Sequence, residues 1–164
     1  MNFRLAHRAD IPALAAARWA FRTEDPAELA LCDESEFRGR YQSFVRDAMD
    51  TGRLSYWIAE DSGGALAAHM AVVIVESIPR PSRALDRWGY LTDCYVRPAF
   101  RNQGLGSELL RRVQEWASAH DLELLLTWPS DRARSFYARA GFATTSDVLL
   151  QQLRDYDAPP ASDA

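Results

Sequence analysis

The stretch Tyr95-Val96-Arg97-Pro98-Ala99-Phe100-Arg101-Asn102-Gln103-Gly104-Leu105-Gly106-Ser107 constrains the fold more than any other. Arg87 to Val96 reads as a strand, and Pro98, with no N–H to give a ladder, ends it. Gly104 to His120 reads as a helix, because Leu105, Leu109, Val113, Trp116 and Ala117 recur at helical spacing. Leu122 to Trp128 follows as an apolar strand of the buried kind. A strand, a helix and a second strand in this order pack as a right-handed parallel crossover. The chain is therefore predicted to be α/β.

The remaining elements arrange themselves around this unit. Residues 2–5 alternate and predict a first strand. Asp10 followed by Pro12 is a helix-start signal, and Leu14, Ala17, Arg18 and Phe21 carry that helix over about 10–22. A second helix is predicted over 34–50, with Phe37, Tyr41, Phe44, Val45 and Ala48 on one face, closed by Thr51-Gly52. Leu54 to Glu60 and Ala65 to Ile78 predict strands joined by the hairpin turn Asp61-Ser62-Gly63-Gly64. Asp131 to Ala140 predicts a short helix ended by Gly141. Phe142 to Leu153 predicts a last strand or hairpin. The order is β-α-α-β-β-β-α-β-α-β. It implies a mixed central sheet of about six to seven strands with four helices. Residues 1–155 form one expected domain, and 156–164, rich in Ala, Pro and Asp, an expected frayed tail.

Charge and composition remove several function classes. The chain has 164 residues, is 48% hydrophobic and carries a net charge of −4, which argues against a nucleic-acid partner. No run approaches the roughly 20 apolar residues of a membrane span. The first ten residues lack the apolar stretch of a secretory signal. A cytoplasmic monomer or homodimer is expected, with Cys32 and Cys94 as free thiols. His7, His69 and His120 show no mutual spacing that suggests a metal site, so surface or packing roles are expected.

The glycine turn has a physical use. The first N–H groups of a helix lack internal partners, and together with the helix dipole they attract an anion. Glycines let a phosphate approach the backbone, and Arg101 adds charge beside it. A P-loop requires lysine, and the chain contains none. A dinucleotide fingerprint requires a third glycine, and Leu109 stands there. On physics alone a ligand-free turn remains open.

Val96-x-Pro98-x-x-Arg101-x-x-Gly104-x-Gly106 resembles the acetyl-CoA signature of the GNAT superfamily of N-acetyltransferases. A second segment, Ser130 to Phe142, is similar to that family's later cofactor motif through Phe136-Tyr137 and Gly141-Phe142. Ser130 departs from it, standing where asparagine is common. The resemblance implies a GNAT-like fold. It also implies acetyl-CoA as cosubstrate, without a metal, bound along Tyr95, Val96, Arg101, Asn102, Gln103, Gly104, Leu105, Gly106, Ser107 and Ser130.

The implied reaction is direct attack by a primary amine of a small molecule or peptide on the thioester, within a ternary complex. Freeing the lone pair of an amine with a pKa near 10.4 costs about 4–5 kcal/mol at neutral pH. A positioned carboxylate or a water chain could take that proton. The resemblance places the N–H donor for the oxyanion near Tyr95-Val96 and makes Tyr137 the acid that protonates the thiolate. Asp93, the acidic residue nearest Val96 on that strand, is the candidate base. Strand alternation sets it opposite Thr92, Cys94 and Val96, which leaves an edge or cap role open. Glu24, between the first two helices, is a candidate acceptor-binding residue or a solvated loop carboxylate. A longer acyl-CoA donor and a non-catalytic CoA-binding sensor or interaction module remain as alternatives.

Overall fold

The computed structural model describes residues 1–24, 33–82, 86–145, 147–149 and 151. Cys32, the end of the last expected strand and the 156–164 tail lie outside the described residues. The elements are β1 (Asn2–Leu5), α1 (Ile11–Arg22), α2 (Glu34–Asp50), β2 (Leu54–Glu60), β3 (Leu66–Glu76), β4 (Arg87–Val96), α3 (Leu105–Ala119), β5 (Leu125–Leu126) and α4 (Arg134–Arg139). The strands form one sheet in the order β1-β2-β3-β4-β5. The first three pairings are antiparallel, and β4 with β5 is parallel.

Alternation along the strands divides the core in two. One face carries Met70, Val72 and Leu91, covered by Leu109, Leu110 and Val113 of α3. The other carries Tyr56, Ile58 and Ala71, covered by Leu14 and Ala17 of α1 and Val45 of α2. Leu109 and Leu110 are fully buried. Each such leucine stabilises the fold by about 1.5–3 kcal/mol.

Local chemistry sets the ends of these elements. Asp33 caps α2 by accepting the Glu36 N–H at 2.9 Å. Asp10, expected to cap α1, makes no side-chain cap bond there. Its carboxylate instead takes two bonds of 2.8 Å from the Arg4 guanidinium and one of 2.8 Å from the His7 N–H, tying β1 to the start of α1. Asp61 closes the β2–β3 hairpin by accepting the N–H groups of Gly63 and Ala65, each at 2.9 Å.

Two expectations at the C-terminal side require correction. The sheet has five strands among the described residues, not six to seven. Residues 142–145, 147–149 and 151 make no ladder, so the strand or hairpin expected there does not form within the described residues. The buried strand expected over Leu122–Trp128 shrinks to Leu125–Leu126, and both leucines are only half-buried. The Leu122 N–H turns back to Ala117 O at the end of α3, and β5 pairs with β4 alone. With one neighbour and no second cover, Leu124 and Trp128 stay 48% and 56% exposed.

Candidate functional site

The glycine turn is built as an anion cradle. Gly104 lies at φ +78° and Asn102 at φ +59°, left-handed conformations that swing the chain from β4 into α3. The Glu108 N–H is the first to find a partner, Gly104 O at 3.1 Å. The N–H groups of Leu105, Gly106 and Ser107 donate to nothing among the described residues. They converge, with the helix dipole behind them, on a cavity of about 630 Å³. Its walls include Tyr95, Val96, Arg101, Asn102, Gly104 and Ser107. The Gln103 side chain turns away and donates to Ala99 O at 3.0 Å, leaving that residue only its backbone.

Arg101 folds back over the strand end. Its Nε donates to Val96 O at 2.9 Å, and its guanidinium lies 5.6 Å from the centre of the Tyr95 ring. Nη2 pairs with Glu24 Oε1 at 2.5 Å. Glu24, expected to serve the acceptor, thus stands at the glycine turn and is absent from the walls of the cavity under α2 described below. Arg132 and Arg139 also line the glycine-turn cavity, and no sequence pattern marked them.

The cavity opens because β4 and β5 pair only at Gly89 and Tyr90. From Leu91 to Val96 that edge of β4 has no strand partner among the described residues. The Arg97 N–H crosses to Ala67 O on β3 at 2.9 Å. Successive N–H groups of a strand point to opposite edges, so the Val96 N–H faces the opening. Val96 is therefore the residue of the Tyr95-Val96 pair whose N–H can meet an oxyanion there.

Tyr137 and Ser130 sit differently from the turn residues. Tyr137 is 6% exposed and stands behind Cys94 and Phe136, which do line the cavity. Its phenol faces the Cys94 thiol and Thr127, and burial drives its pKa well above the usual phenol value. Burial likewise pushes the Cys94 thiol up to about 11, so Cys94 stays protonated and is no nucleophile. Ser130 precedes the short 3-10 turn Asp131–Ala133, is exposed, and forms no part of the cavity wall.

Asp93 departs furthest from the sequence expectation. Ala71 pairs with Thr92 while His69 pairs with Tyr95, so β4 carries one extra residue in a bulge. Asp93 takes φ +49° there. The bulge breaks the alternation and puts Asp93 on the same face as Thr92, beneath α1 and α2. Both line a second cavity, of about 470 Å³, whose roof comes from α2. Asp93 is neither an edge nor a cap residue. It is 8% exposed and accepts Arg18 Nη1 at 2.7 Å and the Tyr56 hydroxyl at 2.6 Å. Tyr41 donates in turn to the Tyr56 hydroxyl at 2.8 Å. His69 Nε2 lies 3.3 Å from Asp93 Oδ1 without the alignment of a hydrogen bond.

Burial works to raise the Asp93 pKa. The His69 ring, the Arg18 charge and the Tyr56 hydroxyl outweigh it and hold the carboxyl well below the usual range. Arg18, Tyr41, Tyr56 and His69 were not singled out from sequence as site residues. The one available signal was Arg18, a charged residue on an otherwise apolar α1 face. The two cavities lie on opposite faces of β4 at the bulge, one lined by Asp93 and the other by Cys94. Among the described residues no cluster of metal-ligating side chains occurs, and no helix is long and apolar enough to cross a membrane.

Comparison with known proteins places this architecture. Among curated proteins, a glucosamine 6-phosphate N-acetyltransferase 1 of Oryza sativa subsp. japonica is 31% identical over 110 residues, covering 66% of this chain and 63% of that protein. Among solved structures, a predicted acetyltransferase with acetyl-CoA from Clostridium acetobutylicum superposes with a TM-score of 0.76 at 24% identity. That match covers 93% of this chain and 96% of the other. The glucosamine-6-phosphate N-acetyltransferase from Arabidopsis thaliana gives a TM-score of 0.66 at 16% identity, over 94% and 100% of the two chains. These low identities speak for the fold alone. The model of the acetyltransferase (GNAT) family matches residues 14–142, from α1 to the end of the second motif, and the chain belongs to that family.

Proposed function

We propose that this acetyltransferase moves an acetyl group from acetyl-CoA to a primary amine by direct attack. The observation that carries the reading is the cavity headed by free helix N–H groups at the glycine turn. On the other face of the strand, beside Cys94 of its wall, Asp93 lines a second cavity. The residues present fit a CoA thioester. The N–H groups of Leu105, Gly106 and Ser107, with Arg101, would hold its pyrophosphate, and Gly104 removes the side chain that would obstruct it. When bound, the thioester supplies an activated acetyl carbonyl.

The chain's own groups then divide the work. The Val96 N–H donates to the carbonyl oxygen as it gains charge. Tyr137, kept protonated by burial, gives a proton toward the departing sulfur past Cys94. A carboxylate held as low as Asp93 is a poor proton acceptor. Asp93 serves instead as the anion that fixes Arg18 and Tyr56. The amine proton leaves to water in the opening.

Calorimetric titration with acetyl-CoA tests this directly, beside release of free thiol across a panel of amines. Gly104→Val forces a β-branched residue into φ +78°, a strain of about 1–2 kcal/mol, while its Cβ meets nothing within 4 Å. The variant should fold and bind acetyl-CoA at least about tenfold more weakly. Unchanged affinity in the folded variant would remove the pyrophosphate from this turn.

A further inference from the structure

Arg18 lines the cavity under α2. Its Nη1 is fixed on the buried Asp93 at 2.7 Å, and its guanidinium lies 5.6 Å from the centre of the Phe21 ring. Asp93 belongs to the wall of the cavity under α2, and Phe21 to the wall of the cavity at the glycine turn. The Nε and Nη2 of Arg18 find no acceptor among the described residues, and its side chain is 27% exposed. A guanidinium pinned at one nitrogen presents its remaining donors in a fixed planar fork, the geometry that matches a carboxylate.

The surroundings narrow the ligand further. The cavity under α2 is walled by Phe37, Phe44, Val45, Leu54 and Val73. Phe44 at its edge is 61% exposed, an apolar ring left in water beside an apolar space. Among the described residues Asp93 is the only acidic one in the wall, and its oxygens are already engaged by Arg18 and Tyr56. A simple ammonium therefore finds no free carboxylate, while an anion finds Arg18. The Tyr41 hydroxyl donates to Tyr56 and the Tyr56 hydroxyl to Asp93, so neither proton is left for a ligand.

We infer that the acceptor is a small amine bearing both a carboxylate and an apolar or aromatic body, the chemistry of apolar α-amino acids. This rests on the acetyl-transfer reading above. Arg18 grips the carboxylate, α2 covers the apolar part, and the amine, one carbon away, faces the β4 opening. The nitrogen lone pair forms the new bond to the acetyl carbon, and the C–S bond breaks with its electron pair on sulfur. Nitrogen loses one proton and sulfur gains one, giving an N-acetylated acid and free CoA.

The test compares phenylalanine, leucine and methionine with their decarboxylated amines and with glucosamine 6-phosphate. Free thiol is read at fixed acetyl-CoA, and acetyl-CoA affinity is measured separately by calorimetry. The amino acids should show a KM at least about tenfold below that of their decarboxylated partners, as a charged hydrogen bond supplies. Arg18→Lys, which keeps the charge beside Asp93 but loses the fork, should raise the amino-acid KM severalfold. The KM of the decarboxylated amines, which have no carboxylate to lose, should rise by less. The wild-type comparison decides the matter even where a variant folds poorly. Equal KM with and without the carboxylate overturns the inference. So does a preference for glucosamine 6-phosphate, or acetyl-CoA binding without turnover of any amino acid. Absence of acetyl-CoA binding would overturn the acetyl-transfer reading as well.

Discussion

Tyr137 shows how much one side chain's role depends on what surrounds it. The phenol is buried behind Cys94 and held well above its usual pKa, so at neutral pH it always carries its proton. Tyr137→Phe keeps the ring packing against Phe136 and Phe142 and removes only that proton. Turnover should fall by about 10²-fold, the low end for acid catalysis, because a thiolate already leaves fairly well near neutral pH. Acetyl-CoA affinity should hold. Full turnover in the variant, with chemistry shown to limit the rate, would reduce Tyr137 to packing. The position of Tyr137 was readable from Phe-Tyr and Gly-Phe in the second motif. The burial of Asp93 was not, because it depends on a bulge and a φ of +49° that no residue pattern announces. Arg18 was hidden for a related reason. Its partner lies 75 residues away.

At the scale of elements, the regular parts were legible and the junctions were not. The periodicities behind α1, α2, α3 and the first four strands are local, and each element falls within a few residues of its expected bounds. The parallel contact of β4 with β5 is not local, and it is reduced to two residue pairs. Gly89 makes that contact possible. A Cβ built there would stand 2.7 Å from Leu125 Cδ2 and 2.8 Å from Val72 Cγ1. Gly89→Ala must therefore displace the Leu125 and Val72 side chains that hold β5 against β4, which should cost about 1–3 kcal/mol. The same displacement should change the width of the opening at Val96, so acetyl-CoA affinity should weaken together with stability. Urea unfolding beside calorimetry reads both. A variant as stable as the parent would mean that Leu125 moves freely, and that β5 does not hold the opening.

The molecule as a whole places a charged network between its two cores, and this gives its stability a definite pH dependence. Asp93 is held below the usual carboxylate range by His69, Arg18 and Tyr56 against the opposing effect of burial. Asp10 is also lowered, first by its bonds to Arg4. In the unfolded chain both titrate near the ordinary value of about 3.9. Each folded pKa lies below its unfolded value, so the unfolded chain takes up protons first as acid is added. The stabilisation is complete above about pH 5 and is lost progressively as the pH falls through about 4 toward the folded values. Asp93→Asn removes the Asp93 part of this dependence. At pH 7 it should cost about 1–3 kcal/mol, below the range for a fully buried pair, because Arg18 retains some access to water. The Tyr56 hydroxyl keeps an acceptor in the amide oxygen, so the core should still close. Urea unfolding of both proteins at pH 7, 5, 4 and 3 should show the gap between them narrowing as the parent loses its contribution. A gap that stays constant over that range would mean Asp93 titrates alike in both states, and that the bulge places it without stabilising its charge.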